Sequence, residues 1–221
     1  MRVFGETDRM NVMLDTDLKQ IVVTQKWKFD WRRKLKDWAN ENWNERNKDK
    51  FKREAVEAIQ RMWSSKVDVT ISGNSAFAQT YSDMQFTVRI AIEEAFSNAH
   101  WKVIVYKTHP SENQGAYVSW YNKTIRLTSE DVLNVPRTIF DREKQYAGLT
   151  KQYGIAHEFG HAMGNIKAYN TGDEYYRDSP HFDDFESIMN LGNEVRHRHY
   201  GYVVQLLEKM LPETKFDIKY C

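Results

Sequence analysis

The chain has 221 residues, of which 41% are apolar and 29% charged, a balance that excludes a disordered or fibrous class and leaves enough material for one buried core. Its 32 basic and 31 acidic side chains give a net charge of +1, so no global field recruits nucleic acid or an anionic membrane. No apolar run approaches the roughly 18 residues of a membrane span, and Cys221 is the only cysteine, which excludes an intrachain disulfide and a cysteine-based zinc site. Aromatic residues make up 14%, which suits thick side-chain packing or a groove that grips an extended substrate.

Residues 1–18 are polar and carry no clear period. Ile21-Val22-Val23-Thr24 reads as a short β-branched strand. From Trp31 to about Ser64 the pattern becomes helical. Leu35 and Trp38 lie three apart, and Phe51, Ala55, Ile59 and Met62 repeat at three to four, with the polar stretch Asn40–Lys50 predicting two helices or an interrupted one. The basic run Arg32-Arg33-Lys34-Lys36, answered by Asp30, Asp37, Glu41 and Glu45, is expected to be a solvated helix face. Alternation then predicts strands at Val67–Ile71, Phe86–Ile92, Trp101–Tyr106 and Ser119–Thr128, and strands this close in sequence imply a mixed or mostly antiparallel sheet. Asp141–Met163 is expected to be a helix stopped at Gly164-Asn165, followed by a long irregular segment to Asn193 and a helix around Val203–Met210 closed by Pro212. The expected architecture is α+β in a single domain: an N-terminal helical part over 1–65, a sheet over 66–130, and an active-site helix, loop and C-terminal helix over 141–221.

The chemistry-bearing motif is His157-Glu158-Phe159-Gly160-His161. On a helix, residues four apart project from one face, so two imidazoles can meet one Zn²⁺. Glu158 is adjacent to the first histidine, too close to serve comfortably as a third ligand, and is placed to take a proton from water at the metal. His100 and His109 stand apart from any cluster and read as structural.

His157 to Gly164 resembles the active helix of zincin metallopeptidases, and its second half is similar to the metzincin extension. That extension fails at Lys167, where a ligand would fall. Ser187-Ile188-Met189-Asn190 resembles the turn whose methionine lies beneath the metal in metzincins. Together with Asp173-Glu174-Tyr175 and the segment through Tyr200, this ensemble resembles the metallopeptidase toxin domains at the ends of type VI secretion spike (VgrG) and Rhs proteins, over about Gly154–Tyr200. The resemblance implies a zincin-like fold and places Glu194 first as the third zinc ligand. Asp173 or Glu174 folding back from the loop, His181, and then Glu186, His197 and His199 stay open as alternatives.

The expected function is hydrolysis of peptide bonds by a Glu158-activated water at zinc held by His157, His161 and Glu194, with His199 as first choice, or Tyr200, steadying the oxyanion. Arg196 is expected to pair with Asp173 or Glu174, and Asp183 and Asp184 to lie on the loop exterior. An exposed edge at Trp101–Tyr106 or Ser119–Leu127 would hold an extended peptide by strand addition. Protein or the peptide stems of peptidoglycan are the expected substrates. The toxin resemblance adds a secretion-spike carrier, an immunity protein and delivery into a target cell from the producer's cytoplasm. Met1–Glu6 lacks the apolar region of a classical leader. The competing class is a non-catalytic binding or carrier-fused module, with a structural zinc or a chance histidine spacing.

Overall fold

The computed structural model describes residues 1–33, 42–107, 115–169 and 171–220. Their framework is a nine-stranded mixed sheet. Its strands are β1 (Arg2–Glu6), β2 (Asn11–Asp15), β3 (Gln20–Arg33), β4 (Val67–Gly73), β5 (Gln85–Glu94), β6 (Trp101–Lys107), β7 (Tyr117–Ser119), β8 (Thr124–Thr128) and β11 (Thr214–Tyr220). The main path runs β11-β4-β5-β3-β6-β8-β7, with β2 also paired to β3 and β1 to β2. The pairs β3/β5, β3/β6 and β6/β8 are parallel, whereas both ends of the path close antiparallel. Alternation sets the buried face: Ile21, Val23 and Trp27 of β3 point into the core with Phe86, Val88 and Ile90 of β5, and with Val103 and Val105 of β6.

Among the described residues four α-helices accompany the sheet: α1 (Glu45–Trp63), α2 (Ala76–Tyr81), α3 (Gly154–Ala162) and α4 (Gly201–Met210). The Asn44 side chain caps α1 by accepting from Asn47 N at 2.8 Å. Phe51, Ala55, Ala58, Ile59 and Trp63 then form its buried stripe. α1 packs on β5 and α3, and α3 also meets β7, β8 and the strand that leads into it, β10 (Tyr146–Tyr153). Trp63 fixes the approach of α1 to α3: its indole donates to Ala156 O at 2.9 Å and its ring meets Phe159 edge-on. Buried Gln25 on β3 ties the sheet to the last turn of α3, donating to Ala162 O at 2.8 Å while accepting from Trp27 Nε1 at 3.0 Å.

The α+β class and mixed sheet agree with the sequence reading, and several elements do not. Among the described residues the N-terminal part is not helical up to Arg33: it forms β1–β3, and α1 follows from Glu45. β3 runs on to Arg33, so Arg32 and Arg33 end a strand and not a helix face, because Phe29 and Trp31 stack at 5.1 Å and Trp31 packs on Trp43 at 4.7 Å. Lys34, Leu35, Lys36, Asp37, Trp38, Glu41, His109 and Cys221 lie outside the described residues. Asp141–Met163 is not one helix. Its first half belongs to a two-stranded hairpin, β9 (Asn134–Phe140) with β10 (Tyr146–Tyr153), turned by Asp141 Oδ1 accepting from Glu143 N and Gln145 N at 2.8 Å each. Pro212 closes α4 as expected, but β11 follows, alternating Phe216 and Ile218 with lysine and aspartate along β4. β6 is no free edge, since β3 and β8 flank it. The short strand β7 ends that side of the sheet.

Replacing Gln25 by Leu leaves Ala162 O and the Trp27 N–H buried without partners. The variant is expected to lose about 2–5 kcal/mol of stability, read from the urea midpoint. A midpoint equal to wild type would contradict this role.

Candidate metal centre

β10 passes directly into α3, so the helix enters with its first turn anchored by the sheet-side hairpin. His157 and His161 stand one turn apart, their rings edge to face with centroids at 5.0 Å. Gly164 adopts φ +101°, and a Cβ there would run into Tyr202, so this glycine lets the chain leave the helix sharply. The loop that follows brings back Asp173, whose Oδ1 lies 3.1 Å from Nε2 of His157 and 3.1 Å from Nε2 of His161.

Backbone carbonyls fix which imidazole nitrogen is free. His157 Nδ1 donates to Ile188 O at 2.7 Å and His161 Nδ1 donates to Asn165 O at 2.7 Å. Both Nε2 lone pairs therefore face a carboxylate oxygen, with the three atoms within 4.8 Å of one another. Acceptors so arranged repel unless a proton on an imidazole or a metal cation sits among them. Tetrahedral bonds of about 2.0–2.1 Å would place such ligands roughly 3.3 Å apart, close to the 3.1 Å from Asp173 Oδ1 to each Nε2. Two imidazoles and one carboxylate suit a transition-metal dication, so the residues fit a metal. Burial opposes charge on His161, but Asp173 and Glu158 outweigh it and raise its pKa. Burial likewise opposes charge on Asp173, and the two histidines overcome it to hold the carboxyl well below its ordinary value.

Glu158 is buried on the same helix, and its Oε2 has no hydrogen-bond partner among the described residues. Burial pushes its pKa up, against the pull of His157 and His161. Beneath the pair, Met189 is fully buried against Gly160. A Cβ at Gly160 would stand 2.9 Å from Trp63 Cζ2 and closer still to Met189 Sδ, so only glycine lets α3 descend onto this floor. The turn holding Met189 is pinned by Ile188 N donating to Glu194 O at 2.8 Å and Glu194 N donating to Glu186 O at 2.7 Å. Met189 O in turn accepts from Glu174 N at 2.8 Å, which sets the backbone next to Asp173.

The structure brings together His157, Glu158, His161 and Asp173, and keeps Glu194 and His199 apart from them. Glu194 serves through its backbone. Its side chain is 60% exposed and pairs with Arg196, so it is not the third ligand in this geometry. His199 is buried in the 3₁₀ turn His197–Tyr200, with Nδ1 accepting from Arg196 N at 3.0 Å and Nε2 donating to Glu174 at 3.2 Å. With both nitrogens engaged it positions Glu174 and has no donor left for an oxyanion. Tyr200 is also buried, its hydroxyl donating to Trp63 O. Arg196 pairs with Asp184 and Glu194, not with Asp173 or Glu174, and it is Arg198 that grips Glu174, at 2.6 and 2.8 Å. Burial raises the Glu174 pKa, yet Arg198 and His199 hold it down to about 2.

Asp183 lies outside as expected, paired with Arg142, whereas Asp184 is drawn inward by Arg196 and Arg198. Glu186 is exposed and His197 half-buried, both outside the cluster. Structural His100 accepts from Lys26 N at 2.9 Å. His161 and Asp173 open into a cleft of about 670 Å³ that Lys167, His181 and Arg198 also line. Tyr175, which the sequence reading gave no role, stacks on His157 with ring centroids at 6.4 Å. Its only sequence signal is its place two residues after Asp173. Gln152, which donates to Ile188 O and Asn190 O behind His157, gave none.

No family model, curated protein or solved structure matches this chain.

Asp173→Ala is expected to weaken zinc binding more than roughly 100-fold, while Glu194→Ala, which breaks one exposed ion pair, changes it less than about fivefold. Zinc titration of both variants checks the assignment, and the reverse ordering would return the ligand role to Glu194.

Proposed function

We propose that this chain is a zinc-dependent peptidase in which His157, His161 and Asp173 hold the metal and Glu158 is the general base. The observation that carries the reading is the buried Glu158 carboxylate, with Oε2 free of any hydrogen bond among the described residues, one residue from a metal-ready trio. Among the described residues the trio has no fourth histidine, cysteine or acid, which favours a catalytic site over a closed structural one. When bound, zinc supplies Lewis acidity, polarising an amide carbonyl and acidifying water. Glu158 then takes a proton from the attacking water and returns it to the leaving amine nitrogen. Tyr175, stacked on His157 and partly exposed, would be the nearest tyrosine to steady the developing oxyanion in place of the enclosed His199.

The reading is of a zincin-like architecture. An extended peptide would lie in the cleft beside His161, with β7, which meets α3, as the adjoining strand. The motif resemblance to spike-linked toxin domains extends the proposal to an effector delivered into a target cell and restrained by an immunity protein in its producer.

Glu158→Gln should retain zinc at the wild-type stoichiometry and lose peptide hydrolysis by roughly 10²–10⁴-fold. Single-turnover assays with metal analysis test this. Activity surviving in that variant would reject Glu158 as the base.

A further inference from the structure

Alternation along β3 sends Gln25 inward to α3 and turns Lys28 and Asp30 towards the opposite face of the sheet. There, with Lys102 of β6 and Lys123 of the β7–β8 turn, they line a cavity of about 770 Å³. That size lies within the range of about 300–1,000 Å³ typical of ligand sites. Lys48 of α1 adds a fourth ammonium against the single carboxylate of Asp30. Phe29, Trp31 and Phe96 supply an aromatic wall, and Ser97, Asn98 and Asn122 neutral polar groups.

The strand order explains the recess. β5 and β6 both run parallel to β3 but on opposite sides of it, β5 leaving where Glu94 meets Trp27 and β6 joining where Trp101 meets Trp27. The connection from Ala95 to His100 must therefore cross β3. It is clamped at both ends, Ala95 N donating to Trp27 O at 2.9 Å and His100 N to Lys26 O at 2.8 Å. The crossing leaves Phe96 85% exposed and seats His100, only 7% exposed, at the cavity wall. His100 Nδ1 accepts from Lys26 N at 2.9 Å, so its hydrogen is on Nε2, where no described residue accepts it. Burial pushes the His100 pKa down, which keeps the ring neutral and preserves this tautomer. A buried N–H donor at the wall of a cationic recess needs its acceptor from a guest or from water.

The ammoniums are open to exchange. Lys28 has no acidic partner among the described residues, and Lys102 shares Asp30 with Arg32 at 3.1 and 2.8 Å. Lys48 pairs with exposed Glu45 at 2.7 Å, and Lys123 lies 3.8 Å from Asp8. Exposed pairs of this kind are weak and give way to a phosphate, which draws stronger charge-assisted bonds. Phosphate alone would leave the aromatic wall unused, and an apolar guest would strand the lysines. A planar base joined to phosphate uses both, as stacking on an open ring beside a basic groove does in nucleotide recognition.

We propose that this recess binds a nucleoside phosphate, the phosphates held by Lys28, Lys102, Lys123 and His100 Nε2–H and the base stacked on Phe96. The site is separate from the metal centre and does not rest on the peptidase reading. Zinc-loaded protein is titrated calorimetrically at low salt with ADP, adenosine and inorganic pyrophosphate. ADP is expected to bind at least about tenfold tighter than either fragment, because only ADP engages the lysines and the ring together. Lys28→Gln combined with Lys123→Gln, neither in the core, should weaken ADP at least about fivefold. Phe96→Ala should weaken ADP by a similar factor and leave pyrophosphate unchanged. The NMR signal of the His100 imidazole N–H should shift on saturation with ADP and stay in place with adenosine. His161→Ala, which alters the metal centre, should bind ADP as the wild type does.

Absence of ADP binding, equal binding of ADP and pyrophosphate, affinity that survives the lysine and Phe96 variants, or binding lost in His161→Ala would each overturn the site. Binding of a single-stranded oligonucleotide or of phosphatidylserine vesicles without ADP binding would overturn it equally.

Discussion

Three successive carbonyls, those of Ile188, Met189 and Asn190, hold the centre together. The first accepts from His157 Nδ1, the second from Glu174 N and the third from Gln152 Nε2. One short stretch of backbone thus orients the His157 imidazole, sets the strand of loop that carries Asp173, and locks the end of β10 from which α3 starts. Because these are main-chain acceptors, their positions depend on the turn and not on any one side chain. The Met189 side chain adds the remaining constraint from below, filling the space that Gly160 leaves. His157 and Asp173 thus take their geometry from this turn, while His161 is oriented by Asn165 O.

Behind the turn lies a polar network that makes the loop rigid. Glu174 is buried and bridges Arg198 and His199, and Arg198 continues to Asp184, which also binds Arg196. Arg196 first, and Arg198 with it, overcome the effect of burial on Asp184 and hold its pKa down to about 2. Buried charges are costly unless they are paired and hydrogen-bonded, and here each acid has an arginine partner. The two adjacent acids thereby acquire different tasks. Glu174 faces the arginines and anchors the loop, while Asp173 faces the imidazoles, where it would supply the ligand oxygen of the proposed metal site. Rigid support of this kind keeps ligating atoms within the narrow tolerances a metal site needs.

The parts of this arrangement visible in the sequence are those set by local periodicity. His157, Glu158 and His161 needed only helical spacing, and the strands at Val67–Ile71, Phe86–Ile92 and Trp101–Tyr106 needed only alternation. The α1 stripe from Phe51 to Ile59 was equally plain. What could not be read depended on distant partners. Adjacent Asp173 and Glu174 are indistinguishable until Arg198 claims one of them. Glu194 follows the Met189 turn in a ligand-like motif, yet its contribution is two backbone hydrogen bonds, to which side-chain identity is blind. His199 looked like a surface histidine poised to donate, and Trp63, Glu174 and Arg196 enclose it. The β9–β10 hairpin was lost for a local reason: the periodicity of α3 was carried back over a polar turn that Asp141 closes with its own side chain.

The central claim, that the turn at Ile188–Asn190 assembles a metal centre from His157, His161 and Asp173, is tested most directly by X-ray absorption spectroscopy of the zinc-loaded protein. The account predicts one zinc with two imidazole and at least one carboxylate ligand at about 2.0–2.1 Å, no sulfur, and loss of one imidazole contribution in His161→Ala. Folded wild-type protein that takes up no zinc, or a coordination shell unchanged by His161→Ala, would contradict it.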